Sequence, residues 1–345
     1  MKAAVYNGPG ELKVVEVPDP QPRSDTMILR IRACAICGTD LKLYTVGNPR
    51  CKPPRILGHE LVGEVVAVGS GIEGFAFGDR VTVATTIACR RCDYCRRGLE
   101  NLCPYAKCIS YDYDGAFAEY MEVPAEVTRG GNAIQVPPDV TDEGAALAEP
   151  LSCAINAQKV AGVKPGHTVV VIGGGPLGCL NAEVAKAFGA RRVIITQTSP
   201  QRLTLARRLS GVEVVDVSGG NGVAQIRAMT DGEGADVVIA TAPTAASQAE
   251  ALEMVRKGGV LSLFASLPKG ASTIAIDTRL VHYGQIAVVG ASDSRTCDVR
   301  DAVRLLSAGK IDVKTIVTHE LPLERILDGI ELMKRRSGLK IVIKP

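Results

Sequence analysis

The chain of 345 residues contains no tryptophan, and its eight tyrosines and five phenylalanines make aromatics only 4% of the total. Its cores must therefore be built from Val, Ile, Leu and Ala. No apolar run is long enough to span a bilayer, which argues against a membrane protein. The opening MKAAVYNGPGELKVVEV reads as a strand, a Gly-Pro-Gly turn and a strand. It lacks the uninterrupted apolar core of a secretion signal. An excess of one charge is missing too: 40 Lys and Arg are interspersed with 37 Asp and Glu, for a net charge of +3. No basic stripe carries interleaved aromatics, so nucleic acid is not an expected partner. Internal repeats and low-complexity segments are absent. What is left is a cytoplasmic globular protein of about two domains, with 46% hydrophobic residues to fill them.

Cysteine, in contrast, is plentiful. Of eleven, Cys89, Cys92, Cys95 and Cys103 stand in the pattern C-x2-C-x2-C-x7-C within CRRCDYCRRGLENLC. Four thiolates at this spacing can converge on one tetrahedral ion, and a closed all-sulfur shell is what structural Zn²⁺ takes. A disulfide reading is weaker, because Cys92 and Cys95 lie too close to bridge outward comfortably and the cysteine total is odd. Arg90, Arg91, Arg96 and Arg97 read either as solvated surface or as an offset to the negative charge of the site. This cluster is a staple and says little about a reaction.

The two parts of the chain differ in texture. Up to about residue 150, short β-branched runs alternate with Gly and Pro turns (VVEVP, MILRIRA, LVGEVVAVGS, DRVTVATT, FAEYMEV), the pattern of a β-rich domain. From about 165, apolar strands alternate with helices. Strands are expected at 169–172, 193–196, 212–217, 236–240, 260–265 and 286–290. That alternation predicts a parallel sheet with helices on both faces. Beyond 295, amphipathic helices over 298–307 and 323–335 precede a final strand, LKIVIKP.

The segment VVVIGGGPLGCLNAEVAKAFGA places Gly173, Gly175 and Gly178 in G-x-G-x-x-G spacing, with Pro176 and Leu177 inside the turn. The motif alone is weak, but an apolar strand precedes it, a helix follows, and RRVIIT closes a βαβ unit. The helix N-terminus then offers N–H groups to a pyrophosphate. Where NAD-selective sites carry an acid at the end of the second strand, this chain has Gln197. Gln can bond a ribose hydroxyl without repelling a 2′-phosphate. Arg202 is close enough in sequence to meet such a phosphate, or it faces solvent from a helix begun by Ser199 and Pro200. NAD and NADP both remain open.

Upstream of the staple lie CAICGTD and ILGHELVGEVVAVGSG. Cys37, His59 and Glu60 suit a second zinc, of the catalytic kind that keeps one position open, and Glu149 in LAEPLSC is a fourth candidate. A lone His is ordinarily a satisfied core residue. Here the chain has only four His, a Glu adjoins this one, and Gly precedes it. Cys34 and Cys37 form a C-x-x-C that can also denote a redox pair, though no thioredoxin-like pattern surrounds it.

Taken together, CGTD, GHE, the four-cysteine lobe, GAFAEY (115–120), AEPLSC, GGGPLG and HYGQ (282–285) span the whole chain. In these motifs the sequence resembles the zinc-dependent medium-chain alcohol dehydrogenase family, in its polyol (sorbitol-type) and threonine dehydrogenase branch. The resemblance implies an α/β protein with a β-rich GroES-like catalytic domain (1–152 and 290–345) around a Rossmann domain (153–289). It implies a cleft between them and a homodimer or homotetramer. It further implies that Cys37 and His59 bind catalytic zinc, with Glu60 bound directly or through water and Glu149 at or near the fourth position. Thr39 matches the hydroxyl that bonds the substrate alcohol and starts proton removal. Zinc as a Lewis acid and NAD or NADP as hydride acceptor complete the expected chemistry.

Two departures from the family pattern matter. Where many relatives carry a proton-relaying His, this chain has Lys42, which reads equally as a relay or as an exposed charge. Thr86 stands where the threonine branch tends to place a His, which favours a polyol or sugar-derived secondary alcohol over L-threonine. Tyr44, Phe117, Ser294 and Arg295 are candidate pocket residues, with core packing for Phe117 and surface for Arg295 as the plainer readings. Cys51, Cys108, Cys153, Cys179 and Cys297 read as small apolar residues or bystanders. The other functions considered are an amino-alcohol or threonine dehydrogenase and a non-catalytic nucleotide-binding protein.

Overall fold

A computed structural model describes residues 1–345, and its contacts divide the chain into two units. The first comprises Met1–Ser152, Asp293–Gly309 and Val317–Pro345; the second comprises Cys153–Ser292 and Lys310–Ile316. The expected return at 290 thus falls at Asp293, and the Lys310–Ile316 segment makes a separate excursion. That segment is held within the second unit, where the Asp312 N–H donates to Glu183 Oε2 at 2.9 Å.

The first unit is organised by a seven-stranded sheet. Its central strand, Met27–Ala35, pairs antiparallel with Glu60–Val68 on one side and with Lys340–Lys344 on the other. Glu60–Val68 continues to Arg80–Val83 and Ala133–Gln135, and Lys340–Lys344 pairs in parallel with Val317–Pro322. Alternation of burial along Met27–Ala35 breaks at both ends, so Met27, Ile28 and Leu29, and then Ala33, Cys34 and Ala35, are all buried. The core is aliphatic (Leu29, Ile31, Leu61, Val65, Ile341, Ile343) with Phe117 and Tyr6 as its large rings, as the poverty of aromatics requires.

The second unit is a six-stranded, wholly parallel sheet. Across it the strands run Glu213–Asp216, Arg192–Gln197, Thr168–Ile172, Ala235–Ala240, Val255–Leu263, Ala287–Gly290. The chain order reverses between the third and fourth of these, and such a reversal opens a crevice at the carboxyl ends of the strands. All five residues of Thr168–Ile172 are buried, as expected for a strand covered on both faces. The glycine-rich turn follows immediately, and Pro176 opens the Pro176–Ala187 helix at its first position. The fold is α/β, with a β-rich unit and a doubly wound one.

Gly178 is required by packing. A Cβ at this position would overlap the Gly173 carbonyl oxygen, which is backbone and cannot swing aside. Gly178→Ala is therefore expected to open the strand–turn–helix junction and lower stability by about 1–3 kcal/mol, measured as a shift in denaturant midpoint at unchanged slope.

Candidate active site

The site is built by register. Ala35 pairs with Glu60 across the two central antiparallel strands. Cys37 lies two residues beyond Ala35, at the start of the Gly38–Val46 helix, and His59 immediately precedes Glu60. Strand pairing alone thus brings a thiol, an imidazole and a carboxylate together. Their ligand atoms lie within 4.8 Å of one another. Gly58 makes this turn possible: its φ is +93°, and a Cβ there would come within 2.9 Å of Phe117 and 2.8 Å of the Cys34 sulfur. Phe117 is consequently a core ring, fully buried.

Asp40, in the first turn of the Gly38–Val46 helix, orders the group. Its Oδ2 accepts from the Cys37 N–H at 2.8 Å, and its Oδ1 lies 3.6 Å from His59 Nδ1. Both of those atoms are buried without a hydrogen-bond partner. Burial pulls the His59 pKa down, but Asp40 and Cys37 carry it well above the ordinary histidine value. A half-buried sulfur beside a buried imidazole and buried carboxylates fits a bound cation such as zinc, and an imidazole facing a carboxylate is the usual arrangement around one.

Glu60 is committed elsewhere as well. Both its oxygens accept from the Lys340 ammonium, and both side chains are almost wholly inaccessible. Register again accounts for the meeting: Val342 pairs with Ala35, so Lys340 falls level with Cys37. Glu149, in the first turn of the Ala148–Val160 helix, does not join the Cys37–His59–Glu60 set; its carboxylate lies near that of Asp293. Burial pushes the Glu149 carboxyl up to about 7, with His59 opposing and Glu60 and Asp293 adding to the shift. Ser152 Oγ donates to the Glu149 carbonyl (2.5 Å) and lies 2.6 Å from Ser294 Oγ. Thr39 is half-buried beside Cys37, whereas Lys42 is exposed. Arg295 is tied to Asp298 at 2.8 and 3.0 Å and caps its own helix, and Tyr44 packs against the core.

The four-cysteine lobe is drawn together around the Asp93–Arg96 turn. Its four sulfurs lie within 4.8 Å of one another, yet every cysteine is free. The Cys92–Cys95 and Cys92–Cys103 separations are 3.4 and 3.8 Å, against about 2.05 Å for a disulfide. Backbone N–H groups of Arg91 and Cys92 hold the Cys89 thiol down to about 6, while burial and neighbouring sulfurs push Cys95 up to about 12. Four crowded sulfurs can all be thiolates only around a cation, so the donor set fits zinc.

In the second unit, Gln197 ends its strand buried. Its Oε1 accepts from the N–H groups of Thr198 (2.7 Å) and Ser199 (2.9 Å). Its amide NH₂ reaches the glycine turn, 3.4 Å from where a Gly174 Cβ would sit. The Arg202 guanidinium lies over Gly175, 3.3 Å from the corresponding point. Arg202 is therefore half-buried, with its guanidinium over the glycine turn. Asp40, Lys340 and Asp293 were not singled out by sequence reasoning. CGTD carried a signal for Asp40, since an acid three residues after a helix-start residue can reach back to its N–H. For Lys340 and Asp293 the sequence holds no local signal.

A fold of this kind, with a thiolate–imidazole–carboxylate cluster, a four-sulfur lobe and a dinucleotide turn, defines a zinc-dependent oxidoreductase acting on alcohols. Residues 23–132 match the alcohol dehydrogenase GroES-like domain and residues 176–308 the zinc-binding dehydrogenase family. Sorbitol dehydrogenase of Bacillus subtilis is 33% identical over 100% of this chain and 97% of its own length. L-Threonine 3-dehydrogenase of Pyrococcus furiosus is 35% identical over 96% of this chain and 94% of its own. Among solved structures, a zinc-binding dehydrogenase from Sinorhizobium meliloti, bound to NADP, superposes with a TM-score of 0.90. It is 30% identical, with 100% of this chain and 99% of that one covered. The chain belongs to the zinc-dependent medium-chain alcohol dehydrogenase family, in its polyol and threonine dehydrogenase branch. It is an enzyme that oxidises alcohols, with zinc and a nicotinamide dinucleotide as cofactors.

Removing one partner of a buried ion pair leaves the other uncompensated. Lys340→Met is expected to cost about 3–5 kcal/mol, read by chemical denaturation. The double variant Lys340→Met with Glu60→Gln should recover much of that loss.

Proposed function

We propose that this enzyme oxidises a secondary alcohol of a polyol or sugar-derived compound, with Cys37 and His59 as the protein donors at the catalytic zinc. The observation that carries the reading is the Ala35–Glu60 register, which delivers a half-buried Cys37 and a buried His59 to one point. Glu149 is the carboxylate we assign to the fourth position, because the charge of Glu60 is already met by Lys340. When bound there, zinc supplies Lewis acidity that lowers the pKa of the substrate hydroxyl. Thr39 relays the hydroxyl proton, taking it while giving its own to water, with exposed Lys42 three residues on along the same helix. Asp40 holds the Cys37 backbone and faces His59, which limits the geometries both can take. Cys89, Cys92, Cys95 and Cys103 hold the second, structural zinc.

For the dinucleotide, we assign the phosphates to the turn formed by Gly173, Gly175, Pro176, Leu177 and Gly178, and the adenosine ribose to Gln197 and Arg202. The Gln197 carbonyl is occupied by two backbone N–H groups, so only donors face the ribose. Donors and a guanidinium suit a 2′-phosphate better than a carboxylate would, which favours NADP⁺ while still admitting NAD⁺. The Ala287–Gly290 strand ends the parallel sheet, and Val288 on it is exposed. An unpaired edge of this kind is a template for a second copy, which supports a homodimer or a homotetramer built from dimers. No helix is long and apolar enough to cross a membrane, and the reduced cysteines are in keeping with the cytoplasm.

The test is NAD(P)H formation by zinc-loaded protein across polyols, inositols, L-threonine and simple alcohols, with both dinucleotides. Turnover of a polyol that a chelator abolishes is the expected result; turnover of L-threonine in preference to all polyols would overturn the substrate class. Cys37→Ala should abolish turnover with little loss of thermal stability, whereas Cys92→Ser should lower the melting temperature and the bound zinc together. Arg202→Ala should raise KM for NADP⁺ by about tenfold or more and barely alter KM for NAD⁺, measured at saturating alcohol.

A further inference from the structure

Thr241 follows directly on the Ala235–Ala240 strand, at the point where the chain order of the parallel sheet reverses. Ile172 pairs with Ala240, so the next residues of the two strands, Gly173 and Thr241, meet at the start of the glycine turn. The Thr241 N–H donates to the Ile172 carbonyl at 3.0 Å. Its hydroxyl has one proton and two carbonyl oxygens in reach, that of Ile172 at 2.8 Å and that of Gly173 at 3.1 Å. The fit is close: a Cβ on Gly173 would come within 3.0 Å of this hydroxyl, and one on Gly178 within 3.1 Å. From the other neighbouring strand, the Thr196 carbonyl accepts from the Gly173 N–H at 2.8 Å. The donors left for a phosphate are therefore those that come after Gly173.

The Gly173 carbonyl and the Gly174 N–H belong to one planar trans peptide and point opposite ways. Holding that carbonyl against Thr241 aims the Gly174 N–H away from it. Glycine on both sides of this peptide, with φ +106° at Gly173, leaves little steric resistance to a flip. A flip would put a carbonyl oxygen where a donor had been, and a diphosphate takes donors and is repelled by partial negative charge. We infer that Thr241 is a positioning residue for the dinucleotide, which locks the Gly173–Gly174 peptide with its N–H available to the diphosphate. This role rests on the assignment of the phosphates to the glycine turn made above. It adds to that turn a residue 63 or more positions away, which the glycine spacing does not reveal.

The experiment measures Kd of the zinc-loaded enzyme for NAD⁺ and NADP⁺ by calorimetry, with the melting temperature of the dinucleotide-free protein alongside. Thr241→Val keeps the shape and removes the donor. It is expected to raise both Kd values about five- to tenfold and by the same factor, the scale of one lost hydrogen bond. Thr241→Ser keeps the hydroxyl and should bind both dinucleotides within about twofold of the wild type. A lowered melting temperature in Thr241→Val with unchanged Kd values marks a merely structural role and overturns the proposal. So does a Thr241→Ser enzyme that binds as weakly as Thr241→Val, or a loss confined to NADP⁺. Should Thr241→Val not fold, Thr241→Cys, whose thiol is a weak donor, takes its place under the same criteria. Gly175→Ala, read on NAD⁺, tests the turn itself, since a methyl there obstructs close approach of the pyrophosphate. If both Gly175→Ala and Thr241→Val leave Kd unchanged, the turn assignment and this inference fail together. If Gly175→Ala alone weakens binding, only this inference fails.

Discussion

The pairing of Ala35 with Glu60 in the antiparallel centre of the first unit is the constraint on which the active site depends. A strand pair has a side-chain period of two, so a slip of one residue would turn every side chain to the opposite face. Cys37 and His59 would then part, and Glu60 would lose Lys340. The aliphatic core under this pair (Leu29, Ile31, Leu61, Val65) is what makes any such slip costly. The burial that secures the fold is therefore the same burial that fixes the distance between the donors.

Burying so many ionisable groups in one place has an energetic consequence. Cys37, Asp40, His59, Glu60, Glu149 and Lys340 share one region, where burial pushes Asp40 and Glu149 up, while charged neighbours carry His59 and Lys340 up against it. Within that region Lys340 offsets Glu60, and Asp40 faces His59. Cys37 and Glu149 are left as the donors that a divalent cation would meet. A buried charge needs a partner, so the organisation of the first unit and the demand for a metal are two aspects of one electrostatic problem.

The second unit solves a simpler problem. Its inner strands Arg192–Gln197, Thr168–Ile172 and Ala235–Ala240 are buried almost throughout, and apolar runs between helices made five of the six strands easy to place to within a residue or two. The exception was the strand found at Val255–Leu263, expected to begin at 260. Arg256, Lys257 and Gly258 at its start are exposed, and polar residues with glycine disguise a strand that begins outside the core. The expected run over 117–123 likewise shortens to Tyr120–Val123, because Phe117 is spent filling the space beside Gly58.

Motif spacing by itself determined the class of this protein: thiols close enough for one ion, glycines at the separation a dinucleotide turn requires, and a Cys and a His-Glu pair of metal-binding type. Those features are local, and local chemistry is written in short windows of sequence. Only the tertiary structure decided that Lys340 meets Glu60, that Asp293 lies beside Glu149, and that Gln197 spends its carbonyl on its own backbone. The first two contacts join residues more than a hundred positions apart, set by sheet register and by where the chain re-enters the first unit. The third depends on a rotamer. No residue pattern encodes either until the backbone has been placed.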